Sequence, residues 1–258
     1  MKKTMIIFFL IIVSFASNMF AQCIEPSSDE GVSVVGYLQS QVEYYQYNTE
    51  VNVEDLTTFT FNRARLGVVG NIPYDFSYYL MLEFSPYATK EGLPYLIDGF
   101  MTYSRLDPYA KISLGRFKSV FGLEMNTACQ SLHTIRRSKV VNTLVFPDRD
   151  MGIMLNGKYD KYLKYGMSLT NATKRNELGD IDDNANKAFT GRLVVMPHEM
   201  LSVGGSYKFG TAAPLLAGEP DDEKTRIGVE FEFKYDEFLL QAEYIQGEDV
   251  GSYTTGGG

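Results

Sequence analysis

Residues 225–235 read TRIGVEFEFKY, and the alternation within this stretch decides the fold class. Apolar side chains occupy every second position, and polar or small residues occupy the positions between them. Because successive side chains of a strand point to opposite faces, a period of two predicts a β-strand, whereas a helix needs a period of about 3.6. One face carries Ile227, Val229, Phe231, Phe233 and Tyr235, and the other carries Arg226, Gly228, Glu230, Glu232 and Lys234.

The same alternation recurs from Val32 onward and predicts eleven strands. Every second connection between them is short, and the others are long and polar, the longest covering residues 117–149. This sorting is typical of a transmembrane β-barrel, whereas a soluble β-sandwich has no reason to sort its turns by length. The expected strands are 32–46, 57–71, 76–85, 96–105, 109–116, 150–159, 162–171, 188–197, 200–209, 225–235 and 238–246.

The chemistry of the two strand faces favours a barrel embedded in lipid. There the apolar face meets lipid and the polar face lines the lumen, and only a closed barrel pairs every backbone group. The expected fold class is therefore an all-β, transmembrane antiparallel β-barrel. Aromatic residues at the strand ends fit the girdles at the two membrane interfaces: Tyr44, Phe76, Tyr103, Tyr159, Phe209, Tyr235 and Phe238.

Residues 1–21 have the pattern of an export signal, followed by a short lead-in at 22–31. Lys2 and Lys3 precede an apolar run that is too short for a membrane-spanning helix, and small residues up to Ala21 offer a cleavage site. An uncleaved N-terminal anchor and lipidation at Cys23 are the alternatives. Two cysteines do not make a disulfide framework, and whether Cys23 and Cys129 pair stays open.

At the other end, residues 247–258 are expected to begin an external loop. Bacterial single-chain barrels have even strand numbers, and an open sheet edge is not viable in lipid. An odd count of eleven therefore predicts a fragment of a longer barrel whose C-terminal part is missing. The alternative is that one strand was missed or added.

Composition and motifs narrow the function classes. The formal net charge is −8 and no basic stripe is present, which argues against nucleic acid as a partner. The two histidines lack the spacing of a metal site, and no Gly-x-Ser-x-Gly or Walker motif occurs. We therefore expect neither an enzyme nor a cofactor.

Seven short segments resemble, in their order and spacing, those of the phosphate-selective porin O and P family. The resemblance covers most of residues 31–246. It implies a roughly 16-stranded, trimeric pore of the bacterial outer membrane that lets small anions diffuse through. The segments are Phe61–Gly70 (FNRARLGVVG), Leu114–Lys118 (LGRFK), Phe121–Glu124 (FGLE), Arg137–Ser138, Pro147–Gly152 (PDRDMG), Leu169–Asn171 (LTN) and Gly191–Val194 (GRLV).

The expected function is passive diffusion of small hydrophilic solutes, including anions such as phosphate, with outer-membrane lipid around a homotrimer. A non-conducting structural or adhesive barrel and a soluble, exported ligand-binding β protein are the alternatives. The long 117–149 loop could fold into the pore and bring basic groups to a constriction. It could instead be a solvated external loop, or its arginines could pair with carboxylates and brace the wall. The pore-lining candidates are Arg63, Arg65, Lys111, Arg116, Lys118, Arg136, Arg137, Lys139, Arg149 and Arg192.

Overall fold

A computed structural model describes residues 31–46, 55–85, 94–145, 147–172, 186–212 and 222–250. It confirms all eleven predicted strands, together with two short helices, α1 (Leu123–Asn126) and α2 (Lys139–Leu144), and a 3-10 turn at Cys129–Ser131. The strands are β1 (Gly31–Tyr45), β2 (Leu56–Ile72), β3 (Phe76–Glu83), β4 (Tyr95–Leu106), β5 (Ala110–Lys118), β6 (Arg149–Tyr159), β7 (Leu163–Thr170), β8 (Ala188–His198), β9 (Leu201–Ala212), β10 (Asp222–Tyr235) and β11 (Phe238–Val250).

The ends of the chain differ from the sequence-based expectation or lie outside the described residues. β11 continues past residue 246 to Val250, because its pairing with β10 extends to Glu223, so residues 247–250, which were expected to begin an external loop, belong to the strand. The expected signal sequence, almost all of the lead-in, and residues 251–258 fall outside the described ranges. Within those ranges, no helix is long and apolar enough to cross a membrane.

The strands form a single antiparallel sheet in which each strand pairs with its neighbours in the sequence, in the order β1 to β11. Short turns make this meander possible. Tyr235 pairs with Phe238, so two residues close the β10–β11 hairpin, and Asp236 there has a φ of 53°. Asp160 opens the β6–β7 turn at a φ of 51°. Aspartate tolerates this left-handed conformation better than most residues with a Cβ, because its short polar side chain can hydrogen-bond locally.

The two faces of the sheet have the burial that a membrane barrel requires. On β9, Ser206 and Lys208 are buried, while Tyr207 and Phe209 between them are exposed. This arrangement is the reverse of a soluble protein, in which the apolar face would be covered. The apolar face is exposed across the whole sheet, as shown by Leu38, Phe59, Leu66, Leu114, Ile153, Leu193, Val229, Leu240 and Tyr244.

The long connection between β5 and β6, residues 119–148, lies against the polar face of the sheet; we name it the inner segment. One apolar cluster of the inner segment, made of Phe121, Met125, Val141 and Val145, packs against Ile245 of β11. A second cluster joins Val120 to side chains of β5 and β6. Of the alternatives considered for this connection, its packing on β11, β5 and β6 favours an inward-folded segment over a solvated external loop.

Candidate pore-lining site

The inner segment is anchored to β9 and β11 through three consecutive backbone amides. The amide of Gly122 donates to Ser206 Oγ at 2.9 Å. The amides of Leu123 and Glu124 donate to the two carboxylate oxygens of Glu243, each at 3.0 Å. Hydrogen bonds to an ionised acceptor are stronger than neutral ones, so Glu243 is the main polar contact at this point.

Two cations extend this attachment along the inner segment. Lys208 Nζ on β9 donates to the carbonyl of Val145 at 3.1 Å. Arg226 Nε on β10 donates to the carbonyl of Leu144 at 2.7 Å. These carbonyls lie at the C-terminal end of α2, which is the end of a helix that interacts favourably with positive charge. The attachment to β9, β10 and β11 thus combines an apolar cluster with charge-assisted hydrogen bonds.

The attachment to β1 and β2 is lighter and more exposed. Arg63 Nη1 and Asn62 Nδ2 donate to the carbonyl of Ile135 at 2.8 and 3.2 Å. Arg136 Nη2 lies 2.9 Å from Glu43 Oε1, and 56% of the Arg136 side chain is exposed. The inner segment therefore bridges the polar face from β1 and β2 on one side to β9, β10 and β11 on the other.

Arg137 and Asn126 hold the inner segment together from within. Arg137 donates to the carbonyls of Glu124 and Thr127 at 3.2 and 3.1 Å. The side-chain amide of Asn126 donates to three carbonyls of residues 120–122. Both side chains are buried, and both satisfy carbonyls that have left the strands. Arg137 is therefore a structural brace.

A group of cations lies where the inner segment leaves and rejoins the sheet, and each has a protein partner. Arg65 pairs with Glu83 at 2.8 Å, and Arg149 pairs with Asp98 and Asp148 at 2.9 and 2.8 Å. Lys118 Nζ donates to the carbonyl of Thr127 at 3.2 Å, and Arg116 Nε donates to that of Ile97 at 3.1 Å. These contacts make the group part of the wall, since burying a charge is costly unless it is paired.

Cys129 lies among these cations and accepts from two of them. Its Sγ is 3.3 Å from Arg65 Nη1 and 3.4 Å from Arg137 Nη2. Burial alone would raise the pKa of the thiol, but the positive charges of Arg65, Arg137 and Arg149 outweigh it and lower that pKa to about 5. The surrounding cations therefore favour the thiolate form of Cys129, which supplies negative charge to the cluster.

Beneath the inner segment, on the side of the short turns, lies a cavity of about 1200 Å³. Its basic lining residues are Lys111, Lys158, Lys161, Lys164, Arg192 and Lys234, and its acidic ones are Asp107, Glu199, Glu230 and Glu232. Three of the cations are paired: Lys111 with Asp107, Lys161 with Glu199 and Arg192 with Glu230.

Lys158 and Lys164 have a different environment. They face each other directly across the β6–β7 ladder, and both are exposed to the cavity. Like charges in this position are mutually unfavourable. Among the described residues, neither lysine has an acidic partner within ion-pair distance, so the two ammonium groups together present positive charge to the cavity.

The structure thus divides the ten sequence-predicted site residues into separate groups. Six brace the inner segment or the wall around it: Arg63, Arg65, Arg116, Lys118, Arg137 and Arg149. Lys111 and Arg192 line the cavity, Arg136 reaches across to β1, and Lys139 is exposed at the start of α2. The ten candidates omit Lys158, Lys161, Lys164 and Lys234, which also line the cavity, although the period of two along β6, β7 and β10 puts three of these lysines on the polar face.

Solved structures with a similar fold are porins and outer membrane proteins. An anion-selective porin from Comamonas acidovorans superposes with a TM-score of 0.60 at 12% identity, covering 86% of this chain and 69% of that chain. A loop-deletion mutant of OmpT, an outer membrane protein of Vibrio cholerae, gives 0.45 at 12% identity, with 88% and 85% covered. A mutant of the Rh. blastica porin gives 0.48 at 11% identity, with 86% of each chain covered. The first of these likenesses supports the porin fold.

No match to a curated protein was found. The family model of phosphate-selective porin O and P matches residues 33–219, which is most of the chain. That span includes the inner segment and the facing lysines Lys158 and Lys164. With its exposed apolar surface, its buried polar face and this match, the chain belongs to the phosphate-selective porin O and P family of outer-membrane porins.

Proposed function

We propose that this porin passes small hydrophilic solutes by passive diffusion and favours anions such as phosphate. The observation that carries the proposal is the pair Lys158 and Lys164, which present two positive charges to the cavity without an acidic partner among the described residues. A pore selects ions by the sign of the charge along its path, and ammonium groups bind phosphate oxygens as charged hydrogen-bond donors.

The proposal assigns selectivity to lysines of the cavity rather than to arginines of the inner segment. Arg137 and Arg149 are buried and bound to carbonyls or carboxylates, so their charges are already compensated. A passing anion would have to displace these contacts to use them. The lysines keep their charge at an accessible surface, where an ion can bind weakly and leave again, as conduction requires.

Export and assembly are part of the same proposal. Residues 1–21 act as the signal that directs the chain across the inner membrane. The conducting form is a homotrimer, the assembly that the family resemblance implies. The anion selectivity that names the Comamonas acidovorans porin agrees in sign with the charge of the cavity.

The test is the reversal potential of the purified protein in a planar bilayer under a KCl gradient. We expect a potential that shows chloride preference, and added phosphate should lower the current. Replacing Lys158 and Lys164 together by Gln should move the reversal potential toward that of an unselective pore. The matched control replaces Arg105 and Lys187 by Gln, which removes the same charge from positions that do not line the cavity. Cation preference in the unmodified protein would refute the proposal.

A second candidate function is a structural barrel that does not conduct. The observation that favours it is the inner segment itself, which bridges the polar face between β1 and β11 and is anchored at both sides. The same bilayer recording separates the two functions, because a blocked barrel passes no steady current.

A further inference from the structure

We propose that Glu243 is the positioning residue that holds the inner segment in place across the lumen and so sets the open area of the pore. Its two carboxylate oxygens accept from the consecutive amides of Leu123 and Glu124, each at 3.0 Å. One strand side chain thus holds two consecutive backbone amides of the inner segment. This inference rests on the proposed function, because it gives Glu243 a role in conduction.

The backbone next to these amides is shaped to receive the carboxylate. Gly122 has a φ of 69°, a conformation that favours glycine, and a Cβ at this position would collide with Glu243 Oε1. The Gly122 amide is held at the same time by Ser206 Oγ at 2.9 Å. The ring of Phe121 also lies against Gly228 of β10, where a residue with a Cβ would collide with the ring.

The position of Glu243 in the sheet is unfavourable without this contact. It pairs directly across the β10–β11 ladder with Glu230, so two carboxylates face each other on the polar face. Glu230 is compensated by Arg192, whose Nε lies 3.0 Å from Glu230 Oε2. Glu243 is compensated by the amides of the inner segment. Opposed like charges destabilise a sheet, so the carboxylate of Glu243 is stable here because the inner segment binds it.

The same contact removes an acidic charge from the lumen. A free carboxylate beside the pore would repel anions, but Glu243 is half-buried and its oxygens are directed at backbone donors. Its contribution to conduction is therefore the placement of the inner segment. Without the carboxylate of Glu243 the segment keeps its attachments at Ile135, Leu144 and Val145, while residues 123 and 124 shift away from β11.

Cys129 offers a measurement of this shift that does not depend on conduction. Cys129 lies within the inner segment, is 6% exposed, and accepts from Arg65 and Arg137. In a Cys23→Ser background, Cys129 is the single thiol of the chain. We would measure its rate of maleimide labelling in detergent, and the single-channel conductance of the same samples in bilayers.

Glu243→Gln keeps the size of the side chain but loses the charge and one of the two acceptor oxygens. Loss of one charge-assisted hydrogen bond predicts labelling of Cys129 that is roughly tenfold faster, together with a larger and noisier conductance. The matched control is Glu230→Gln, which removes the same charge from the facing residue but touches no amide of the inner segment. Labelling in this control should stay within about twofold of the parent rate.

Gly122→Ala breaks the same contact from the opposite side and leaves both carboxylates in the sheet, so it decides the question if Glu243→Gln does not fold. Faster labelling in both variants supports the inference. An unchanged labelling rate in Gly122→Ala, or equal acceleration in Glu230→Gln and Glu243→Gln, would overturn it. A pore that shows these labelling differences but no current would overturn the proposed function and leave the positioning of the inner segment standing.

Discussion

The described sheet carries several cross-strand pairs of like charge, and two of them have contrasting environments. Glu230 faces Glu243 between β10 and β11, and Lys158 faces Lys164 between β6 and β7. Each glutamate has its own protein partner, namely Arg192 for one and the amides of residues 123 and 124 for the other. The lysines have no acidic partner among the described residues and face the cavity.

The difference separates charges that stabilise the fold through protein partners from charges that remain accessible in the cavity. The carboxylates are half-buried or buried, where an uncompensated charge is costly, so they need partners. The lysines are exposed, where water screens their repulsion and the cost of leaving them unpaired is small. A charge kept at an exposed, concave surface without a partner is one that a mobile ion of opposite sign can use.

The largest effect should follow from removing the partner of Glu230. Arg192→Met leaves two carboxylates facing each other, one of them only 5% exposed. Breaking a buried ion pair by removing one member costs about 3 kcal/mol or more, so the free energy of unfolding should fall by that order. Urea unfolding in detergent micelles measures it. Adding Glu230→Gln to Arg192→Met should restore most of the loss, and a double variant as unstable as the single one would contradict this assignment.

The environment of Cys129 is a third arrangement, in which a single anion is surrounded by cations. The stability that this anion contributes to the fold should depend on pH. Its pKa in the fold is about 5 against an ordinary value of 9.0. A depressed pKa means that the thiolate stabilises the fold fully above about pH 9, progressively less as the pH falls, and not at all below about pH 5. Cys129→Ser lacks this charge and should unfold at a lower temperature than the parent at pH 8.

The control for this prediction is the same comparison at pH 4.5. The other charged groups around Cys129 are present in both proteins, so they do not contribute to the difference. The gap between the two unfolding temperatures should shrink as the pH falls toward 4.5. A gap that stays constant from pH 8 to pH 4.5 would show that the thiol stabilises the cluster without ionising.

Most of the fold could be predicted from the sequence, because alternation and turn length are local properties. Residues 225–235 show their two faces without any knowledge of the neighbouring strands. The end of β11 was placed too early because Gly247 interrupts the pattern, whereas the pairing of Gly247 with Arg226 continues the strand. Pairing is a property of two segments, so the pattern of one segment could not show it.

The site was predicted less well for a similar reason. Arg137 and Arg149 were expected at a constriction, but their partners come from the folded path of the inner segment, which has no periodic pattern. The lysine pair was within reach of the sequence. Alternation placed Lys158 and Lys164 on the polar face, and the short turn beginning at Asp160 brings them opposite each other. The hairpins with short turns were therefore a better guide to the positive charges that face the cavity than the long loop at residues 117–149 was.

The smallest effect on stability should come from the lysine pair, and it should have the opposite sign. Lys158→Gln removes one of two facing ammonium groups that have no acidic partner among the described residues, so the free energy of unfolding should stay the same or rise by less than about 1 kcal/mol. Arg192→Met, which also removes one positive charge from the lining of the cavity, should lower it. Urea unfolding of the two variants side by side compares a solute-facing charge with a structural one. If Lys158→Gln destabilised the protein as much as Arg192→Met does, Lys158 would have a structural role, and the distinction between the two like-charge pairs would fail.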